Sequence, residues 1–67
     1  GGPGGAKETE KLALGYFKGD VIWHRVFGEG VISSIKGDRA EVKFYKYRCP
    51  KSIDLRYCIV NRLIRSV

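Results

Sequence analysis

Between Arg39 and Tyr47 apolar and polar positions alternate one for one. Ala40, Val42 and Phe44 fall on one side, Glu41, Lys43 and Tyr45 on the other. A period of two places successive side chains on opposite faces, so this segment reads as a strand with one buried and one wet face. Upstream, Val21, Ile22 and Trp23 favour extended backbone, because β-branched and aromatic side chains fit a pleated, half-buried surface. A first strand is therefore expected over 20–24; with Ile22 and His24 in the inward register, Trp23 faces outward. Val31, Ile32 and Ile35 predict a second strand over 30–36. Between these two, Gly28 and Gly30 flank Glu29 and supply conformations closed to residues with a Cβ. That corner marks a small, strongly bent sheet rather than a helix bundle.

Gly37-Asp38 is a hairpin turn signal leading into the third strand. Arg48-Cys49-Pro50 ends that strand, since proline has no N–H for the ladder. A fourth strand is expected over 52–55 with Ile53 and Leu55 inward. Residues 56–59 read as a turn or a single 3₁₀ turn, and a last short strand over 61–64 closes the sheet. Five short strands at this spacing suggest an all-β chain folded as a small barrel. Closure leaves little unpaired strand edge, which otherwise invites aggregation.

At 67 residues the chain is one domain at most. A domain this small buries only about 60% of its unfolded surface and needs a compact plan. The glycine-rich start, Gly1-Gly2-Pro3-Gly4-Gly5, is of low sequence complexity, and no such tract follows it. Helix formers over 6–14 are too few for a stable isolated helix. Residues 1–15 are accordingly read as a flexible, disordered linker or cloning remnant, and 16–67 as the domain. The lack of any methionine suggests a fragment of a longer protein.

Composition narrows the functional classes. No apolar run approaches the roughly 18 to 20 residues needed to cross a bilayer, and no secretory signal pattern is visible. Two cysteines, Cys49 and Cys58, cannot build a disulfide framework. They fit two reduced thiols of a cytoplasmic protein, at least one packed as a small hydrophobe, while a single disulfide between them stays open. Residues 1–42 are electrically neutral, whereas 43–67 carry seven cations against Asp54 alone, so the whole net charge of +6 sits in the last third. A one-signed field draws anionic partners, nucleic acid or an acidic protein surface.

At this point the residues resemble a known family. Gly19-Asp20-x-Ile22-x-His24-x-x-Phe27-Gly28-Glu29-Gly30-x-Ile32 is similar to the opening motif of the C-terminal Tudor-like domain of UvrD/PcrA-type DNA helicases. Val42-x-Phe44, Lys51-x-Ile53-x-Leu55 and Tyr57-Cys58-x-Val60-x-x-Leu63 resemble its later strands and terminal element. The likeness spans residues 19–64. It departs at Lys46-Tyr47-Arg48-Cys49-Pro50, where the family has a glycine-containing turn. The resemblance implies a five-stranded SH3-like or Tudor-like barrel, related to CarD-type RNA-polymerase-interacting barrels. It further implies an appended, non-catalytic interaction module of a DNA repair or processing enzyme, with RNA polymerase or another protein as partner. Direct DNA binding by the basic C-terminal third is the alternative. The resemblance implies an ATP-dependent helicase as the parent, although this chain itself lacks a phosphate-binding Gly-x-x-x-x-Gly-Lys-Ser/Thr loop.

No nucleophile–base pair supports catalysis, so no catalytic residue is expected. His24, Cys49 and Cys58 are three candidate metal ligands at irregular spacing, short of the four a structural zinc wants, so neither metal nor cofactor is expected. His24 is expected beside the glycine corner, a ring nitrogen holding a backbone group. Phe27 reads as a core anchor or a plug beneath that corner. Glu29 is either a partner contact or a solvated turn residue. Trp23 beside Arg25 is a candidate interface anchor, because Trp, Tyr and Arg dominate such sites; alternatively it covers Tyr16-Phe17. Tyr45 and Tyr47, interleaved with Lys43, Lys46 and Arg48, suit either a protein interface or phosphate contact with base stacking. The expected partner-binding set is therefore Trp23, Arg25, Lys43, Tyr45, Tyr47 and Arg48. The expected nucleic-acid-binding set is Lys43, Lys46, Arg48, Lys51, Arg56 and Arg62. Arg65 either extends the basic stripe or simply aids solubility. A monomer without membrane contact is expected.

Overall fold

The computed structural model describes residues 15–67. Apart from Gly15, the linker expected over 1–15 and the helical turn considered over 6–14 lie outside the described residues. The elements are β1 (Val21–His24), β2 (Gly28–Lys36), β3 (Arg39–Phe44), β4 (Lys51–Asp54), α1 (Leu55–Val60) and β5 (Ile64–Ser66). All strand neighbours are antiparallel, in the order β4-β3-β2-β1-β5. Among the described residues the architecture is thus mostly antiparallel β with one short helix. None of its helices is long and apolar enough to cross a membrane, among the described residues.

β2 organises the sheet. Its first residues pair with β1, and from Gly30 onward it pairs with β3. The β2–β3 register slips between Ile32 and Ser34. Ser33 donates its hydroxyl to the Glu41 carbonyl at 3.0 Å across that irregularity. An extra residue of this kind bends and twists its strand.

The two corner glycines act for different reasons. Gly28 takes φ +85°, a left-handed conformation that burdens any residue with a Cβ. Gly30 has no such φ; a Cβ there would lie 2.7 Å from the Lys43 carbonyl oxygen and 2.8 Å from Phe44 Cα. Its role is close approach of β2 to β3, a correction to the purely conformational expectation.

The inward register is as read. Ile22, Ile32, Ala40, Val42, Phe44, Ile53 and Leu55 are buried, joined by Cys58 and Ile64. Tyr16, Phe27, Ile35, Ile59 and Leu63 pack against this cluster.

Several boundaries differ from the expectation, β2 beginning at Gly28 rather than Gly30. β3 stops at Phe44, because Tyr47 N–H bonds back to the Phe44 carbonyl at 3.0 Å and turns the chain. Leu55 is inward but opens a helix instead of ending a strand. The expected turn over 56–59 is α1: Asp54 caps it, accepting the Tyr57 N–H at 3.0 Å, and Leu55 and Cys58, three apart, share its buried face. The helix ends in a Schellman motif, with Leu63 N–H on the Cys58 carbonyl at 2.7 Å and Arg62 N–H on the Ile59 carbonyl at 3.1 Å. Arg62 takes the left-handed position, φ 56°. These residues consume the stretch read as the last strand, and β5 forms only from Ile64.

Candidate interaction surfaces

Alternation along β1 puts Ile22 and His24 inside and leaves Val21 and Trp23 outside. Trp23 lies opposite Glu29 on β2 and Arg65 on β5. The Arg65 guanidinium carbon sits 4.6 Å from the Trp23 ring centroid, a cation–π stack. Trp23, Glu29, Arg65, Ser66 and Val67 line an open recess. Trp23 is therefore outward, as expected, and covered by Arg65, while Tyr16 packs against the core. One register step along, Val21 pairs with Val31 and Val31 with Lys43. Val67 N–H donates to the Val21 carbonyl at 3.3 Å, extending the β1–β5 ladder. Val21 and Val67 are exposed, as is Tyr45, whose N–H donates to the Glu29 carbonyl at 2.9 Å. The outer face is thus an apolar patch around Trp23 with Lys43, Glu29 and Arg65 among it.

A second cluster forms on the other side of the corner. His24 is 5% exposed. Its Nδ1 accepts the N–H of Val26 at 3.0 Å and of Phe27 at 3.3 Å. A nitrogen that accepts two N–H groups carries no proton, so the neutral ring has its hydrogen on Nε2, which faces Cys58 Sγ at 3.9 Å. Burial pushes the imidazole below its ordinary value, which agrees with that tautomer. Burial, with Asp54 nearby, pushes the Cys58 thiol up. His24 thus holds the β1–β2 turn from beneath, the role read for it.

Phe27 caps this arrangement. Its ring centroid lies 4.6 Å from His24, 5.1 Å from Phe44 and 5.6 Å from Tyr47, the last edge-on at 87°. Lys51 Nζ lies 4.6 Å from the Tyr47 ring centroid and 5.1 Å from that of Phe27. Phe27 is a half-buried plug bridging the core to the surface.

The structure divides the expected partner-binding set. Trp23, Lys43 and Tyr45 belong to the outer sheet face. Arg25 is exposed in the β1–β2 turn, its N–H on the Leu63 carbonyl at 2.7 Å. Tyr47 and Arg48 lie on the β3–β4 connection, Tyr47 beside Phe27. Tyr45 and Tyr47 do not share a strand face, because β3 ends before both.

The nucleic-acid-binding set also separates. Lys46 and Arg48 are exposed on the β3–β4 connection, between Lys43 near the end of β3 and Lys51 at the start of β4. Arg56 instead pairs with Asp38 in the β2–β3 turn at 3.1 Å. Arg62 serves the helix end described above. Among the described residues no group of three metal-ligating side chains comes together; Cys58 is buried, Cys49 is exposed, and both thiols are free.

The sequence reads Arg65 only as part of a basic stripe or a solubilising charge, and assigns Val21 and Val67 to no site. With the last strand read over 61–64, nothing placed Arg65 beside Trp23. A shift of β5 by a few residues creates that neighbour. No protein-family model, curated protein or solved structure matches this chain.

Proposed function

We propose that this chain is a non-catalytic protein-interaction module whose contact surface is the outer sheet face around Trp23. The observation that carries the reading is the Trp23–Arg65 stack, open to solvent on a sheet face with exposed Val21, Tyr45 and Val67 around it. Aromatic and arginine side chains set in an apolar patch with charged neighbours have the composition of an interface centre.

The strand order, the bent β2 and a short helix between the last two strands support an SH3-like or Tudor-like barrel as the finer fold. The resemblance to the C-terminal domain of UvrD/PcrA-type helicases supports attachment to a DNA repair or processing enzyme and RNA polymerase as the partner. The test is a ¹⁵N-edited titration of the protein with RNA polymerase fragments at moderate salt. Saturable shift changes at Trp23, Arg65, Val21 and Lys43, lost with Trp23→Ala, are expected. Binding that leaves those signals unmoved, or that survives Trp23→Ala unchanged, refutes the surface; no binding by any fragment refutes the partner.

A further inference from the structure

We propose that the outer sheet face binds a second copy of this chain, forming a two-fold dimer with Trp23 at its centre. The proposal rests on the reading of this face as a contact surface and names what covers it when no other partner is bound. Register sets two rows of side chains across the strands. Glu29 on β2, Trp23 on β1 and Arg65 on β5 form one row. Val31, Val21 and Val67 form the other, the last through its N–H on the Val21 carbonyl. Neighbouring strands lie about 4.8 Å apart, so Glu29 and Arg65 stand at about equal distances on either side of Trp23.

This layout is complementary to itself. A two-fold axis above the face, running along β1, brings two copies face to face and exchanges left for right. Trp23 then lies over Trp23 of the second copy, each with the Arg65 guanidinium of its own chain stacked on it at 4.6 Å. Glu29 of each copy comes over Arg65 of the other, giving two equivalent ion pairs, because residue i meets j and j meets i across such an interface. The valine row lies on itself, Val31 over Val67 and Val21 over Val21. Lys43 and Tyr45, one strand beyond Val31 and Glu29, overhang the rim. Sheets packed by such faces stay within about 30° of alignment.

The charges select the occupant. Among the described residues neither Glu29 nor Arg65 belongs to an ion pair, though both are exposed on one face. An acidic surface satisfies Arg65 and sets like charge against Glu29; a basic surface does the reverse. The rotated copy offers each of them the opposite sign. The net charge of +6 opposes contact between copies, but this face carries both signs. Six residues a side fall short of the roughly 20–30 of a standard interface, so the dimer is weak, with a dissociation constant of about 0.1–1 mM. The monomer expected from the sequence is then the dilute form.

The test is sedimentation equilibrium of the intact chain from about 20 µM to about 2 mM at about 150 mM salt, where repulsion is screened beyond about 8 Å. The weight-average mass should rise toward that of a dimer. Concentration-dependent ¹⁵N shift changes should centre on Val21, Trp23 and Arg65 and spare residues 46–51. Glu29→Arg and Arg65→Glu should each weaken self-association about 10-fold or more, because each sets like charges opposite one another twice. An equimolar mixture of these two variants should associate again, although both remain net positive, since the mixed pair joins opposite signs at both contacts. Lys46→Glu changes the net charge as much as Arg65→Glu but lies off the face, and should not weaken association. Urea unfolding of each variant checks that the fold is kept. A mass that stays monomeric throughout overturns the proposal, as does a variant mixture that fails to associate. A monomer that still binds a polymerase fragment through Trp23 refutes the dimer and keeps the contact surface. A dimer that binds no fragment keeps this proposal and refutes only the polymerase partner.

Discussion

Replacing Gly30 by alanine tests how tightly β2 and β3 are packed at the corner. The new Cβ meets Lys43 O at 2.7 Å and Phe44 Cα and Cδ1 each at 2.8 Å. Ordinary carbon contacts lie near about 3.8 Å, so the misfit is roughly 1 Å. Two of the three atoms are backbone, and Phe44 is 1% exposed, so no side chain can swing aside. The strands must part, straining the Tyr45 N–H to Glu29 carbonyl bond of 2.9 Å. Overpacking costs about 1–3 kcal/mol, and a weakened hydrogen bond adds about 0.5–1.5. A loss of about 2–4 kcal/mol is expected, against a whole stability of about 3–8 for a domain of this size. Gly28→Ala is the contrast: no atom lies within 4 Å of its Cβ, and only the φ of +85° opposes it. Its cost should stay near about 1–2 kcal/mol. Urea unfolding followed by the single tryptophan, Trp23, measures both. If Gly30→Ala is no more damaging than Gly28→Ala, the corner is held by backbone conformation and the close-approach argument fails.

Arg62→Gly should leave stability unchanged or raise it by up to about 1 kcal/mol, since glycine bears φ 56° without penalty; a clear loss of thermal stability would show that the Arg62 side chain does more than end the helix. Asp54→Ala removes the cap on Tyr57 N–H and should cost about 1 kcal/mol in urea unfolding, with an unchanged midpoint as the contrary result. His24 has a folded value below its ordinary 6.5, so the unfolded chain binds more protons in that window. Its contribution is complete above about pH 6.5 and is lost as pH falls through the lowered value, and His24→Gln should flatten the fall of the thermal midpoint below about pH 6.5.

The inward pattern was legible because a two-residue period on a half-buried strand leaves little choice of face. Ala40, Val42 and Phe44 could not face water without stripping the core. The hairpin at Gly37-Asp38 and the seat of His24 were legible for the same reason, local chemistry with one outcome. The end of the chain was not. A Schellman motif normally announces itself by glycine, and here an arginine holds the left-handed position. Without that cue the helix read as a turn and β5 was placed too early. A strand over 61–64 leaves Arg65 away from Trp23, so the stack that centres the outer face is not legible in the sequence. Tyr45 and Tyr47 were separated by a similar local event, the turn that ends β3 at Phe44. Alternation continues in the sequence past that point, but the backbone bond from Tyr47 to Phe44 stops the strand.

Both surfaces are placed by one buried corner, yet through different residues. The outer face depends on backbone pairing: Trp23 with Glu29 and Arg65, and Tyr45 with Glu29. The β3–β4 connection depends on stacked rings, from His24 through Phe27 to Tyr47 and Lys51. Backbone ladders are lost only when strands part, whereas a ring stack loosens when one ring shrinks. Phe27→Leu should therefore free Tyr47 and Lys51 while Trp23 keeps its neighbours. In ¹⁵N-edited spectra the shift changes should gather at residues 46–51 and spare Tyr45, Arg65 and Val67. Binding at the Trp23 face should hold. A Phe27→Leu variant that perturbs Trp23 and Arg65 as strongly as Tyr47 and Lys51 would mean that the two surfaces rise and fall as one cooperative unit, and that the division drawn between ladder and stack has no energetic content.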